Sequence, residues 1–122
     1  MTLHVVLFTP RVDVTDAERQ TFGRSLEHAL TSIPSVRRFR VGRRVRTGAA
    51  YDALPGDFAF CAVIEFEDLA GLQDYLGHPA HAEVGRLFYT TTRDAFAADY
   101  EAVDAEPASA LDAWHAADTA TG

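Results

Sequence analysis

The sequence contains no lysine and a single cysteine, Cys61. One thiol cannot close an intrachain disulfide, and a reducing, cytoplasmic setting is the expectation. No apolar run approaches the roughly 20 residues needed to cross a bilayer as a helix. The opening MTLHVVLFTP lacks a basic n-region and reads as a strand rather than a signal peptide. There is no glycine-rich phosphate loop, no CxxC pair and no Ser-His-Asp arrangement, so the sequence signatures of nucleotide binding, thiol redox chemistry and serine hydrolysis are missing. Cations are scarce: 11, all arginine, against 18 carboxylates give a net charge of −7. That balance argues against nucleic acid as a partner, because phosphate binding needs a basic field. Six of the arginines (Arg37, Arg38, Arg40, Arg43, Arg44 and Arg46) nevertheless crowd into ten positions.

With 122 residues, 48% of them hydrophobic, the chain is sized for one domain and one core. Residues 3–9 (LHVVLFT) form a short run with β-branched valines and are predicted as a strand. Thr15 and Glu18 make a capping box. Phe22, Leu26, Ala29, Leu30 and Ile33 follow at helical spacing, which predicts a helix over 16–32 that ends before Pro34. Residues 36–46 alternate as a second strand, with Phe39, Val41 and Val45 on one face and Arg38, Arg40, Arg44 and Arg46 on the other. A Gly- and Pro-containing loop spans 47–57, and a third strand spans 58–66. Asp68 caps a helix over 69–76, which Gly77 is expected to end by taking a positive φ. Pro79 opens the next helix, to about 92, and residues 95–103 form the last strand. The domain is expected over 1–103. Residues 104–122 form a tail, with a helical turn or two around Leu111 and Trp114 expected within it.

The order β-α-β-β-α-α-β is that of an α+β, ferredoxin-like split βαβ fold, with an antiparallel four-stranded sheet and helices on one side. The first and third strands are apolar on both faces, yet helices cover only one. A second copy of the same sheet would cover the other, giving a homodimer, a dimeric α+β barrel. In this strand order the arginine strip lies on one sheet edge, and Asp94, Asp99, Glu101, Asp104 and Glu106 lie on or beside the other. The arginines can pair with a partner's acidic edge, serve as solvated charges that blunt an open edge, or attract an anionic substrate. All three readings stay open at this stage.

HVVLF in the first strand, HPAH between helices and DY in the last strand resemble the stress-responsive A/B barrel domain family, a family of dimeric α+β barrels. Within that family the stretch Gln73-Asp74-Tyr75 to His78-Pro79-Ala80-His81 is similar to the olivetolic acid cyclase-type polyketide cyclases. The resemblance implies an intramolecular aldol condensation of a linear polyketide thioester, run without cofactor or metal. It places the acid/base pair on His81 and Tyr75, with His4 in support. Two aromatic positions of those cyclases fall on Leu26 and Thr92, which implies a pocket of different shape and polarity, and a different substrate.

The residues can also be read without the family. His81 falls in the first turn of a helix, where the positive end of the dipole disfavours imidazolium and burial acts the same way. A neutral imidazole is what a general base requires. The Tyr75 hydroxyl can donate to a carbonyl or enolate. His4 shares a strand face with Val6 and Phe8. The expected pocket lies between helices and sheet, walled by Val6, Phe8, Leu26, Leu30, Phe60, Ala62 and Ile64. His78 is expected to cap its helix. His78 and His81 are an i, i+3 pair, but nothing fixes Asp74 or Glu83 into a ligand set with them, so no metal is assigned. Cys61 reads as a small core residue. His28 and His115 receive no role.

The functional expectation is a cofactor-free cyclase, lyase or isomerase acting on a small carbonyl compound, with no nucleic acid or membrane partner. A non-catalytic, stress-responsive or ligand-binding dimer is the alternative. A relation to haem-degrading and quinol-oxidising monooxygenases with the same barrel rests on fold analogy alone.

Overall fold

A computed structural model describes residues 1–103 and 106–114. The elements run β1 (Thr2–Pro10), α1 (Asp16–Ser32), β2 (Val36–Arg43), β3 (Phe60–Phe66), α2 (Leu69–Leu76), α3 (Pro79–Thr91), β4 (Thr92–Glu101) and a short α4 (Pro107–Ala110). The sheet order is β2-β3-β1-β4, and every neighbouring pair is antiparallel. This is the ferredoxin-like α+β fold expected from the sequence. No described helix is long and apolar enough to cross a membrane.

Local chemistry sets the helix ends. The Thr15 hydroxyl accepts from the Glu18 amide at 3.1 Å, and the Glu18 carboxylate accepts from the Thr15 amide at 3.1 Å. Those bonds hold the Glu18 carboxyl below its ordinary pKa. Removing the cap in Thr15→Ala is expected to cost about 1 kcal/mol, read as a lower urea midpoint at unchanged slope. Gly77 departs from expectation. Its φ is −89° rather than positive, and its amide donates to the Gln73 carbonyl. The chain passes straight into α3 here, so no left-handed residue is needed. His78 caps α3 as expected: its Nδ1 accepts from the Ala80 amide at 3.0 Å.

Strand β2 is shorter than its alternation suggested. Beyond Arg43, Arg44 pairs with Asp57 at 3.0 Å and reaches Asp52 at 3.8 Å, and Arg46 also pairs with Asp57. The 47–57 loop therefore holds these two arginines, and a last backbone bond from the Arg44 amide to the Ala59 carbonyl at 2.8 Å follows the strand. The Asp52 carboxylate also accepts from the Thr47 and Gly48 amides, and Gly48 takes φ +83°. Strand β3 begins at Phe60 rather than 58, and β4 covers Thr92–Glu101 rather than 95–103. In the tail, where a helical turn or two is expected around Leu111 and Trp114, the structure has α4 followed by a 3₁₀ turn at Leu111–Ala113. His115 and the end of the chain lie outside the described residues.

Alternation in β1 and β3 sorts the sheet faces. Thr2, His4, Phe8, Ala62, Ile64 and Phe66 are buried under the helices. Ile64 and Phe66 among them pack with Ala29, Leu30, Ile33, Leu72, Tyr75 and Val84. Leu3, Val5, Leu7, Cys61 and Val63 face the other way and are only half-buried.

Candidate active site

An apolar cavity of about 260 Å³ lies between the sheet and helices α1 and α3. Its size suits a small molecule rather than a peptide. Val6, Phe8, Ala62, Ile64 and Ala97 floor it, and Phe22, Leu26, Leu76, Val84, Gly85 and Phe88 come from the helices. Phe8, Phe22 and Phe88 close one end, with ring centroids 5.4–6.3 Å apart. The polar side chains in the wall are His4, Tyr75 and His81. Three residue types singled out in the sequence thus meet in one cavity, although they come from β1, α2 and α3.

Five of the seven expected wall residues line the cavity, and two do not. Leu30 is buried in the core one helical turn beyond Leu26, packed with Ile33 and Ile64. Phe60 stacks on Phe8 at 5.5 Å, and Phe8 takes the wall position. Phe22, Leu76, Val84, Gly85, Phe88 and Ala97 were not expected in the wall. Phe22 was legible as part of the α1 stripe, but α3 had no face assigned.

Tyr75 links the other two polar groups. Its ring centroid is 4.7 Å from that of His81 and 6.0 Å from that of His4. The residue is 2% exposed, and burial pushes its phenol up to about 12. It stays protonated at any physiological pH and is a donor. His81 is half-buried in the first turn of α3. Burial, and secondarily the nearby His4, hold its imidazole below the usual histidine value, while the Leu76 backbone carbonyl opposes weakly. The ring is therefore neutral near pH 7 and available as a base.

The sequence reading missed Asp99. It had placed this residue only on the acidic edge and in the DY motif. The β1–β4 register sets Asp99 directly opposite His4, and the carboxylate meets His4 Nδ1 at 2.5 Å. An Nδ1–H that donates to Asp99 leaves Nε2 for the cavity. Asp99→Asn is expected to lose this tautomer preference. Long-range ¹H–¹⁵N spectra should show Nδ1 protonated in the wild type and a mixture in the variant. An unchanged His4 pattern would exclude Asp99 as the orienting group. Among the described residues no three metal-ligating side chains converge.

A ferredoxin-like α+β sheet with a helix-covered apolar cavity and a His-Tyr-His wall is the class that fold and site define. The chain belongs to the stress responsive A/B barrel domain family, whose model matches residues 3–102. None of the curated proteins matches the sequence. Solved structures resemble it. One is a dimeric protein of unknown function with a ferredoxin-like fold from Bacteroides fragilis, 26% identical with a TM-score of 0.59, the match covering 83% of this chain and 95% of that one. A hydroxynitrile lyase from Passiflora edulis superposes with a TM-score of 0.73 at 13% identity, over 87% of this chain and 96% of that one. The cofactor-independent oxygenase SnoaB from Streptomyces nogalater gives 0.62 at 14% identity, again over 87% and 96%. At those identities the last two are similar in fold alone.

Proposed function

We propose that this protein is a cofactor-free acid–base enzyme of the lyase, cyclase or isomerase type, acting as a homodimer on a small neutral carbonyl compound. The observation that carries the reading is one neutral imidazole and one un-ionised phenol, 4.7 Å apart between ring centroids, in the wall of an otherwise apolar cavity. Apolar walls disfavour a charged ligand and strengthen any hydrogen bond made inside. The fold carries a lyase in one similar protein and a cofactor-independent oxygenase in another, so it is compatible with such chemistry.

His81 is assigned the base. It takes a proton from carbon next to a carbonyl, and the resulting enolate oxygen accepts a hydrogen bond from Tyr75. The enolate carbon then attacks a second carbonyl of the same molecule, forming a carbon–carbon bond. The new alkoxide recovers the proton from the His81 imidazolium, so no cofactor enters the balance. His4, oriented by Asp99, supports the developing charge. A linear poly-β-keto thioester of the olivetolic acid cyclase type is the substrate class to try first, and Leu26 in the wall, where those cyclases carry an aromatic side chain, is the reason to vary its chain length; Thr92 does not line the cavity, its hydroxyl donating to the Phe88 carbonyl. The test incubates the protein with such thioesters and follows cyclised products by mass spectrometry. Ring formation above the spontaneous rate supports the reading. No acceleration with any chain length would leave a ligand-binding dimer as the better account.

A further inference from the structure

We infer that Gly85 determines substrate specificity: the side chain it lacks leaves the middle of the cavity broad enough for a six-membered ring or a folded chain, one helical turn from His81. The inference rests on the carbonyl-enzyme reading above and adds the shape of substrate that the cavity takes.

The fold itself does not ask for this glycine. It sits in the interior of α3, where glycine lowers the folding equilibrium about five-fold relative to alanine. Among the described glycines, Gly48 and Gly56 take a positive φ and Gly85 does not. No neighbour needs the space either. A Cβ at Gly85 would meet nothing within 4 Å, whereas one at Gly71 would touch Phe66 and Asp68 at 3.5 Å. Alanine therefore fits here and would strengthen the helix. What the missing methyl leaves open is the cavity, because Gly85 is half-buried in its wall.

Its level in the cavity follows from the elements on either side. His81, Val84, Gly85 and Phe88 reach the cavity at i, i+3, i+4 and i+7, along one face of α3. Gly85 is one turn beyond His81, about 6 Å along the axis, and Phe88 is about 10 Å beyond it. The sheet repeats this order. The Tyr75 ring ties His81 to His4, and Phe88 meets Phe8 edge-on with ring centroids 5.4 Å apart. Val6 stands between His4 and Phe8 on β1, so Gly85 comes over the Val6 level. There the floor reads Ala62, Val6 and Ala97 across three strands, because Val6 pairs with both alanines. One pair further along each way, the β3 partner is Ile64 beside His4 and Phe60 beside Phe8. Floor and roof are thus both low at the Val6 level. The cavity has a broad apolar middle between a polar end and an aromatic end.

A broad slot beside the reacting groups selects bulk. A chain whose enolate attacks a second carbonyl of the same molecule has to fold back on itself, and the forming ring needs this width. An extended chain leaves part of the slot empty and forfeits the contacts that a ring makes there. The substrate class is therefore a neutral carbonyl compound that carries, or closes into, an apolar six-membered ring within one helical turn of the reacting carbon.

Two ketones of ten carbons each gauge the slot without turnover: benzylacetone, which carries a ring, and methyl octyl ketone, which is a plain chain. Each is titrated into ¹⁵N-labelled protein, and the dissociation constant is read from ¹H–¹⁵N correlation spectra. The wild type should bind benzylacetone the more tightly. Gly85→Ala should weaken benzylacetone about 10-fold, the scale of one methyl group in an apolar pocket, and change methyl octyl ketone by less than about two-fold. The same variant should gain about five-fold in the folding equilibrium at fixed protein concentration. Gly23→Ala is the control. Gly23 is an exposed helical glycine of α1 whose Cβ would also meet nothing within 4 Å, and it does not line the cavity. It should give the stability gain with both affinities unchanged. Unchanged benzylacetone binding in Gly85→Ala, equal weakening of both ketones, or a wild type that prefers the plain chain would each overturn the inference. A loss of stability in Gly85→Ala would overturn it too, by giving the glycine a role in the fold. A wild type that binds neither ketone would instead remove the carbonyl reading on which the inference rests.

Discussion

Replacing His81 by glutamine should reduce cyclisation by about 10²- to 10⁴-fold, the range expected when a positioned general base is lost. The fold should survive, since His81 is half-buried at a helix start and is not part of the tight core. Far-ultraviolet circular dichroism and product analysis on the same sample separate the two effects. Tyr75→Phe keeps the ring that packs between His4, Phe66 and His81, so it should lower kcat with little change in stability. The pH profile carries its own sign. His81 titrates below its ordinary value of 6.5. Turnover should therefore climb as pH rises through a value under 6.5, then stay level through neutrality. Deprotonation of Tyr75, at about 12, is too alkaline to shape the working range. Stability follows the same linkage. Because burial lowers the folded-state value, the contribution of neutral His81 is present above about 6.5 and is lost as pH falls through the folded value. An alkaline-rising profile centred well above 7 would rule His81 out as the base.

Phe66→Ala should be among the most destabilising single changes in the chain, at about 3–5 kcal/mol. The ring is fully buried and lies 5.2 Å from Tyr75 between centroids. Truncation removes its own burial and leaves a void that the β3 backbone and the helices cannot close together. Phe66→Leu, which keeps most of the volume, should cost under about 1.5 kcal/mol. Chemical denaturation at one fixed protein concentration gives the comparison, since association contributes to apparent stability. A loss below 1 kcal/mol in the alanine variant would mean that the site collapses freely. Tyr75 would then not be held by the wall proposed for it, and its activity role would weaken with it.

Local chemistry was read well where it was complete within a few residues. The Thr15–Glu18 box, the His78 cap and the alternation of β1 and β3 depend on neighbours no more than four positions away. The end of β2 was misread because Arg44 and Arg46 continue the alternation in sequence, while in the structure they pair with Asp52 and Asp57 of the following loop. Gly77 was assigned a left-handed turn on residue type, but the immediate start of α3 keeps it right-handed.

By itself the sequence determined the order of elements and the two-faced apolar strands that ask for a second sheet, whereas His4, Tyr75 and His81 came together as a set only through the family resemblance. Periodicity and capping are short-range properties, and they survive in a one-dimensional reading. Only the tertiary structure decided that Asp99 meets His4 across 95 positions, that Phe88 rather than Phe60 walls the cavity, and that Leu30 serves the core. Those outcomes depend on strand register and on the rotation of α3 about its axis. Both are set by long-range packing, where a one-residue slip would turn every side chain of β4 to the opposite face and take Asp99 away from the site.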